Sequence, residues 1–158
     1  MMVNKNDHPG VYIPPPLLYA AMFFAAVQMQ KLLPLSKAFF YTTTSKITGT
    51  LIILIGLLFN FPALRQFFKT KNTVVTIKPA TSLQTTGIYA VSRNPMYVSL
   101  LLIYTGLWFI TGNWWNVILL PLLVLILQEY VIKREEKYLN RRFGAQYLEY
   151  KARVRRWI

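Results

Sequence analysis

The sequence predicts an all-α integral membrane protein with about four transmembrane helices, the last two of which form a short hairpin. The chain of 158 residues is 54% hydrophobic and has a mean hydropathy of +0.35, which is more apolar surface than a soluble domain of this size readily buries. Three long tracts carry no charged side chain: residues 9–30, 47–64 and 94–128. We therefore treat residues 1–158 as one membrane domain, with two spans in residues 1–65 and a catalytic or binding core in residues 66–158.

The third uncharged tract is too long for one span. A bilayer core takes about 20 apolar residues, which suits each of the first two tracts, whereas a single helix over residues 94–128 would reach roughly 50 Å. Turn-forming residues and interfacial tryptophans interrupt this tract at residues 111–116. The pattern predicts two short spans, near residues 96–111 and 116–133, that fold back on each other.

Basic residues on both flanks of the hairpin predict which side faces the cytoplasm. Residues 65–93 carry five Lys or Arg and no acid, and residues 133–156 carry nine against three Glu. The positive-inside tendency places both flanks in the cytoplasm, together with both chain termini. Because these charges cluster at membrane edges, the net charge of +13 indicates contact with membrane lipids and not with nucleic acid.

Polar segments outside the spans also have predicted roles. Residues 1–16 form a short cytosolic leader, and residues 42–45 lead into and cap the second span. Residues 66–93 form a soluble connector, in which the β-prone run at residues 74–77 is too short for a sheet. We expect this connector to fold over the functional site as a lid.

The residue inventory excludes several kinds of catalysis. The chain has no Cys, its single His is His8, and its seven glycines are isolated from one another. Thiolate and zinc sites, hydrolytic triads, phosphate-binding loops and the Gly-rich dinucleotide turn are therefore excluded. No metal site is predicted, and a cofactor would have to bind in another way.

The acidic residues are few and cluster near the end of the chain. Apart from Asp7, they are Glu129, Glu135, Glu136 and Glu149. On a helix that continues out of the fourth span, residues seven apart share a face, so two acidic rows emerge at the membrane boundary. One interpretation is a helix exit held by salt bridges, with Glu129 paired to Lys133. The other interpretation is a functional site.

An arginine opens the third span. Arg93 precedes Pro95, a residue that suits the first turn of a helix, where backbone amides also favour anions. A ligand that carries a carboxylate would find two kinds of donor there. Tyr97, Tyr104 and Trp108 continue the same stripe, a pattern that is typical of packing or of a membrane interface as well as of a site.

Three motifs resemble, in their order and spacing, those of one enzyme family. They are residues 87–97 with Gly87, Tyr89, Arg93, Pro95 and Tyr97, the Glu135–Glu136 pair followed by Leu139, and the ending with Phe143, Gly144, Tyr147, Tyr150, Val154, Arg156 and Trp157. Residues 70–158 are similar to the integral membrane methyltransferases related to isoprenylcysteine carboxyl methyltransferase and the phospholipid N-methyltransferases. The first two spans are compatible with this family.

The resemblance implies methyl transfer from S-adenosyl-L-methionine to a membrane-partitioned acceptor, in a pocket that the connector and a C-terminal helix close. It implies catalytic positions at Arg93, Asn94 and Tyr97. The cofactor-binding positions that it implies are Thr81, Ser82, Leu83, Gln84, Tyr89, Arg93, Asn94, Pro95, Met96, Tyr97, Glu135 and Glu136. Glu135 is expected to contact the cofactor or to pair with Arg93, and Glu136 to support it or to face basic neighbours.

The chain departs from the family pattern at three positions. Asn94 stands where the family commonly has His, so a hydrogen-bonding side chain remains but a titrating one is lost. Ala90 replaces a frequent basic residue, and Val131 replaces the Arg with which eukaryotic members bind their substrate. The last difference weakens the case for a prenylcysteine carboxylate as the substrate.

Three functions remain open at this point. The leading hypothesis is a methyltransferase whose lipid or apolar small-molecule acceptor enters from the bilayer, with the cofactor site facing the cytoplasm. A second hypothesis keeps the cofactor and makes the substrate a prenylated cysteine or a phosphatidylethanolamine headgroup. The third is a non-catalytic membrane protein whose basic tail binds anionic lipid. None of these three hypotheses predicts an oligomeric state.

Overall fold

The computed structural model describes residues 8–70 and 79–158, and its regular structure within these ranges is helical, with no strand. The predicted all-α class is confirmed. The α-helices are α1 (Pro15–Leu32), α2 (Thr43–Lys69), α3 (Pro95–Thr111), α4 (Trp115–Ile118), α5 (Leu120–Ile126), α6 (Lys133–Phe143) and α7 (Ala145–Arg153). There are also 3₁₀ helices at Ala38–Tyr41 and Gly87–Ala90, and a π-helix at Leu127–Ile132. The predicted β-prone run at residues 74–77 lies outside the described residues.

Two helical stretches are long and apolar enough to cross a membrane. One is α2, and the other is the run Trp115–Phe143, in which α4, α5, the π-helix and α6 follow one another. Helix α3 is apolar but shorter, at 17 residues. The predicted span at 116–133 lies within the longer run Trp115–Phe143, in agreement with the prediction that the helix continues out of the fourth span. No helix breaker follows it, so the helical backbone continues into charged sequence until Gly144, whose φ of 51° ends the run.

The start of α2 is fixed by a capping hydrogen bond. The hydroxyl oxygen of Thr42 accepts from the backbone N–H of Ser45 at 3.1 Å, as expected of an N-cap residue. The predicted cap is confirmed. It starts the helix before the uncharged tract at residues 47–64 begins, and α2 also continues beyond that tract to Lys69.

The predicted interruption at residues 111–116 is confirmed by the break between α3 and α4. Gly112 adopts a left-handed conformation, with φ 63°, and ends α3. Asn113 then accepts a hydrogen bond from the backbone N–H of Trp115 at 3.0 Å and donates to the carbonyl of Ala26 at 2.9 Å. The hydrogen bond to Ala26 thus attaches the turn between α3 and α4 to α1.

Helices α2 and α3 pack antiparallel and at close range. A β-carbon on Gly106 would lie 2.6 Å from the Gly49 carbonyl oxygen, and one on Gly56 would lie 3.0 Å from the Ser99 carbonyl oxygen. Small residues thus permit the two backbones to approach, as at many membrane helix interfaces. Because residue 49 pairs with 106 and 56 with 99, the same register places residue 60 level with the first turn of α3.

The largest buried cluster lies between α1, α3 and the Trp115–Phe143 run. Tyr19 and Tyr104 belong to it, and Leu123, Leu127 and Val131 in the same cluster are fully buried. The two tyrosine rings meet edge to face, with centroids 6.3 Å apart. This packing holds the N-terminal half of α3 against α1 and leaves the first turn of α3 at the edge of the core.

The segment before α1 is packed against the protein. Val11 is fully buried within the core cluster, and Arg134 donates to the Gly10 carbonyl at 3.0 Å. The hydroxyl of Tyr130 accepts from the backbone N–H of Ile13 at 3.2 Å. Residues 8–16, predicted as part of a cytosolic leader, are therefore held in place, because Val11 finds an apolar site and the backbone finds polar partners.

Candidate functional site

A cavity of about 510 Å³ lies beside the N-terminal end of α3. Its walls come from the N-terminal segment, α2, residues 80–100, α6 and α7. Thr81 does not line the cavity, and its hydroxyl donates to the Thr70 carbonyl at 3.0 Å. The other site residues predicted from the sequence all line it: Ser82, Leu83, Gln84, Tyr89, Arg93, Asn94, Pro95, Met96, Tyr97, Glu135 and Glu136.

Glu136 is the acceptor of a basic cluster at one side of the cavity. Its carboxylate lies 3.1 Å from Arg93 Nη2 and accepts from Nε and Nη2 of Arg156 at 2.9 Å each. Lys151 Nζ lies 3.9 Å away. The Arg93 and Glu136 side chains are only 9% and 12% exposed. Of the two partners expected for Glu135, Arg93 is therefore excluded and the cofactor stays a prediction, whereas Glu136 faces basic neighbours, as one of its two expected roles requires.

Glu135 points toward α3 instead. Its Oε1 accepts a hydrogen bond from the Tyr97 hydroxyl at 2.7 Å. Tyr97 is held in turn, because the Tyr19 hydroxyl donates to its backbone carbonyl at 2.9 Å. This carboxylate has no arginine partner among the described residues, so it keeps acceptor capacity for a ligand in the cavity.

The C-terminal tail closes on the loop that precedes α3. The backbone N–H of Arg93 donates to the Arg155 carbonyl at 3.0 Å, and the Asn94 side chain donates to the Arg156 carbonyl at 2.9 Å. The Ser92 hydroxyl accepts from the Asn94 N–H at 3.1 Å. Asn94 thus fixes the tail against the entrance to α3, a role that its amide serves without a titrating group.

Tyr89 joins α2 and α7 at the cavity. Its ring stacks on Phe67 of α2, with centroids 6.3 Å apart and an angle of 24° between the planes. Its backbone carbonyl accepts from the Tyr150 hydroxyl of α7 at 2.7 Å. Burial raises the pKa of both phenols, so both stay protonated and can donate at neutral pH.

Tyr147 of α7 lies beside the charged cluster. Burial, and to a smaller extent the Glu136 carboxylate, raise the pKa of Tyr147 to about 12, although the Arg93 guanidinium acts in the opposite direction. The phenol therefore remains a neutral donor. Helix α7 thus contributes two protonated tyrosines to the cavity wall, Tyr147 and Tyr150.

Residues 79–86 are held over the cavity by side chains from α2 and α6. The Tyr138 hydroxyl accepts from the backbone N–H of Ala80 at 2.8 Å. The Gln66 amide donates to Gln84 Oε1 and to the Thr86 hydroxyl, each at 3.1 Å. The described end of the connector therefore contributes Ala80, Ser82, Leu83 and Gln84 to the cavity wall, and its role as a lid stays a prediction.

The π-helix at Leu127–Ile132 sets the direction of the glutamate pair. A π-turn takes in more residues than an α-turn and so changes the rotation of everything that follows it. Glu135 and Glu136 come directly after this element, on α6. This change in helical rotation places Glu135 beside Tyr97 and Glu136 beside Arg93.

Several lining residues were missed by the sequence reasoning. They include Asn60, Leu64 and Phe67 of α2, Pro9 and Pro14 of the N-terminal segment, and Pro15 and Pro16 at the start of α1. The one available signal was Asn60, the single polar side chain in residues 51–64. A polar side chain within an apolar span is a site candidate by default.

Polar atoms at the cavity are left without partners. Nε and Nη1 of Arg93, the Tyr89 hydroxyl and Asn60 Oδ1 are buried and have no hydrogen-bond partner among the described residues. Buried polar groups in folded proteins are normally paired. This set of cationic and phenolic donors with one amide acceptor suits a ligand that brings a carboxylate, hydroxyl or amine.

Comparison with known proteins decides the family. The sequence profile of the phospholipid methyltransferase family matches residues 44–146, well over half of the chain. The chain belongs to this family. An uncharacterized protein of Haemophilus influenzae is 42% identical over 66 residues, which is 40% of this chain and all of that protein. No solved structure matches the chain.

Membership of the phospholipid methyltransferase family confirms the resemblance predicted from the motifs. The match covers α2 through the start of α7, so it begins earlier than the motifs, which lie in residues 70–158, and stops short of the tail. The chain is thus a member of a methyltransferase family associated with lipid-type substrates, and two of its helical stretches can cross a membrane.

Proposed function

We propose that this protein is an S-adenosyl-L-methionine-dependent methyltransferase acting on a membrane-partitioned lipid or apolar small-molecule acceptor. The observation that carries the proposal is the cavity at the start of α3. It combines the unpartnered donors of Arg93 with the Glu135 carboxylate, and its other walls are largely apolar. A cofactor that bears an amino-acid group would use the charged residues, and an apolar substrate would use the other walls.

The residues present fit the cofactor group by group. Arg93 would bind its carboxylate through Nε or Nη1, since Nη2 already faces Glu136. Glu135 would accept from its ammonium or ribose hydroxyls, and Gln84 and Ser82 offer further polar contacts. Tyr89, stacked on Phe67, offers a hydroxyl and an aromatic face.

S-Adenosyl-L-methionine, when bound, supplies a methyl carbon on a positively charged sulfur. The chain's own contribution is to bind, to orient and to exclude water, and these effects can account for much of the acceleration of an in-line displacement. The sequence has one His, His8, and it does not line the cavity. The residues in hand therefore suit an acceptor that arrives as a neutral amine, as a thiol or already ionised.

The proposed topology has four spans, α1, α2, α3 and the Trp115–Phe143 run, with the cavity facing the cytoplasm. The basic residues near the cavity, Arg93, Lys151 and Arg156 among them, favour that side. Acceptor entry from the bilayer is supported by the apolar wall formed by Pro14, Leu64 and Leu100.

The position of Val131 and the family of the chain both bear on the choice among the candidate substrates. Val131, which stands where a substrate-binding Arg would be, is fully buried in the core cluster and does not line the cavity. This placement favours a lipid or apolar acceptor over a prenylcysteine. Phosphatidylethanolamine is the second candidate, since the family is named for phospholipids.

Two measurements test the proposal. Calorimetric titration of the purified protein with S-adenosylhomocysteine is expected to show one binding site, and absence of binding would leave the non-catalytic lipid-binding hypothesis. Mass spectrometry of membrane extracts incubated with isotopically labelled S-adenosyl-L-methionine is expected to reveal a labelled apolar product. Labelling of strongly water-soluble acceptors alone would contradict entry from the bilayer.

A further inference from the structure

Asn60 is an unassigned polar residue at the apolar side of the cavity. It is the single polar side chain in residues 51–64 of α2. Its Oδ1 is buried and has no hydrogen-bond partner among the described residues, and the residue lines the cavity. An unpaired amide oxygen in an apolar span is costly, and an occupant that supplies a donor would compensate this cost.

The surroundings of Asn60 differ from those of the charged residues. The charged groups of the cavity, Arg93, Glu135 and Glu136, come from the loop before α3 and from α6. Asn60 comes from α2, and the antiparallel register with α3 places it level with Pro95. Charged cofactor groups therefore have charged partners on other elements, without recourse to Asn60.

Part of the cavity lining is hydrocarbon. Leu64 lies one turn along α2 from Asn60, and Leu100 and Pro14–Pro16 add further apolar surface to the cavity. A wall of this kind, with one acceptor atom at the depth of the first turn of α3, matches an amphiphile. The apolar chain would lie along the wall, and one N–H or O–H would reach the amide oxygen.

We infer that Asn60 Oδ1 is a specificity-determining group that accepts a hydrogen bond from an N–H or O–H donor at the polar end of the methyl acceptor. The inference rests on the proposed function and narrows it to acceptors that carry an apolar chain and such a donor. Asn60 does not titrate, so it orients the acceptor and takes no proton from it.

The test uses matched alkyl probes bound to the full chain in detergent, with and without S-adenosylhomocysteine. Dodecanol and 1-methoxydodecane differ by an O–H, and dodecylammonium and dodecyltrimethylammonium share their charge but differ by N–H donors. A neutral hydrogen bond contributes about 0.5–1.5 kcal/mol, so the wild type is expected to prefer the donor probes by about three- to tenfold. The first pair reports on hydroxyl acceptors and the second on amines.

Three variants separate recognition from folding. Asn60→Leu should abolish the preference, whereas Asn60→Asp, which keeps an acceptor oxygen, should retain it. Phe61→Leu changes the neighbouring, 67% exposed side chain and should behave as the wild type. Affinity for S-adenosylhomocysteine should be unchanged in all three, which also shows that each is folded.

The outcomes are distinct for the two proposals. A wild type that fails to bind S-adenosylhomocysteine contradicts the proposed function and with it this inference. Normal binding without any donor preference contradicts only the role of Asn60, as would be the case if a water molecule paired its oxygen. A more than tenfold loss of S-adenosylhomocysteine affinity in Asn60→Leu would assign Asn60 to the cofactor and overturn the inference.

Discussion

The Tyr97 hydroxyl donates to Glu135 Oε1 at 2.7 Å and links the first turn of α3 to α6. Arg93, four residues before Tyr97, turns instead to Glu136. The two adjacent glutamates thus have different roles. Glu136 is neutralised by basic side chains, whereas Glu135 has a neutral donor and faces the cavity. A buried carboxylate without a charged partner is costly unless a ligand compensates it.

We expect Glu135→Gln to weaken S-adenosylhomocysteine binding by about ten- to hundredfold. The change keeps the shape of the side chain but removes a charge-assisted hydrogen bond of roughly 1.5–3 kcal/mol. Calorimetric titration of the purified variants measures the effect. Glu149→Gln is the control, because Glu149 is 71% exposed and its Arg153 contact is a surface pair. Equal affinities of the two variants would remove Glu135 from the site.

Glu136→Gln is expected to lower the free energy of unfolding by about 3 kcal/mol. It leaves Arg93 and Arg156 near each other without their shared anion, and Arg93 is only 9% exposed. Thermal unfolding in detergent, followed by circular dichroism, reports the change. Glu149→Gln again serves as the control and should stay within about 0.5 kcal/mol of the wild type. An unchanged Glu136→Gln would mean that the cluster does not hold the tail in place.

Tyr89→Phe and Tyr150→Phe should have opposite consequences. The Tyr89 hydroxyl has no hydrogen-bond partner among the described residues, so its loss should leave stability unchanged and weaken S-adenosylhomocysteine binding about three- to tenfold. The Tyr150 hydroxyl donates to the Tyr89 carbonyl, so its loss should cost about 1–3 kcal/mol of stability. Unfolding and calorimetry on both variants decide this, and identical profiles for the two would contradict the assignment.

Single cysteines at Lys71 and Lys151 test the proposed topology. The chain has no native Cys, so each introduced thiol is the sole site for a membrane-impermeant reagent. An even number of spans separates the two positions in the proposed arrangement, so we expect labelling from the same, cytosolic side. Reaction of the two cysteines from opposite faces would refute the hairpin of α3 with the Trp115–Phe143 run.

Short sequence motifs predicted which residues lie at the cavity better than they predicted which of these residues contact each other. Arg93, Tyr97 and the glutamate pair could be selected because each lies in a short pattern, and all of them line the cavity. Which glutamate faces Arg93 depends on the π-helix, whose extra residue per turn leaves no clear signal in a single sequence. The pairing with Glu135 was therefore wrong.

The contribution of α2 could not be predicted for a different reason. Asn60 lies far before the motifs, and it reaches the cavity through the antiparallel register that Gly49 and Gly106 set between α2 and α3. Hydrophobic periodicity indicates that a span exists but does not say which residues of two spans are level. An uncharged tract also does not mark where a helix ends, since charged residues continue both α2 and the Trp115–Phe143 run.

The close approach of α2 and α3 predicts that Gly106→Ala destabilises the protein. The added β-carbon would lie 2.5 Å from Ile53 Cγ1 and 2.6 Å from the Gly49 carbonyl oxygen. Because the second of these atoms belongs to backbone, the helices must separate, and overpacking of this kind costs about 1–3 kcal/mol. The better helix propensity of Ala, about 1 kcal/mol, offsets only part of this cost.

Thr105→Ala is the matched control for Gly106→Ala. The Thr105 hydroxyl donates to the Leu101 carbonyl of its own helix at 2.8 Å, so its removal leaves the α2–α3 contact intact. Thermal unfolding should therefore show a lower midpoint for Gly106→Ala than for Thr105→Ala. If the close register also positions Asn60, Gly106→Ala should in addition reduce the preference for donor-bearing alkyl probes. A Gly106→Ala protein at least as stable as the control would show that α2 and α3 do not meet at this distance.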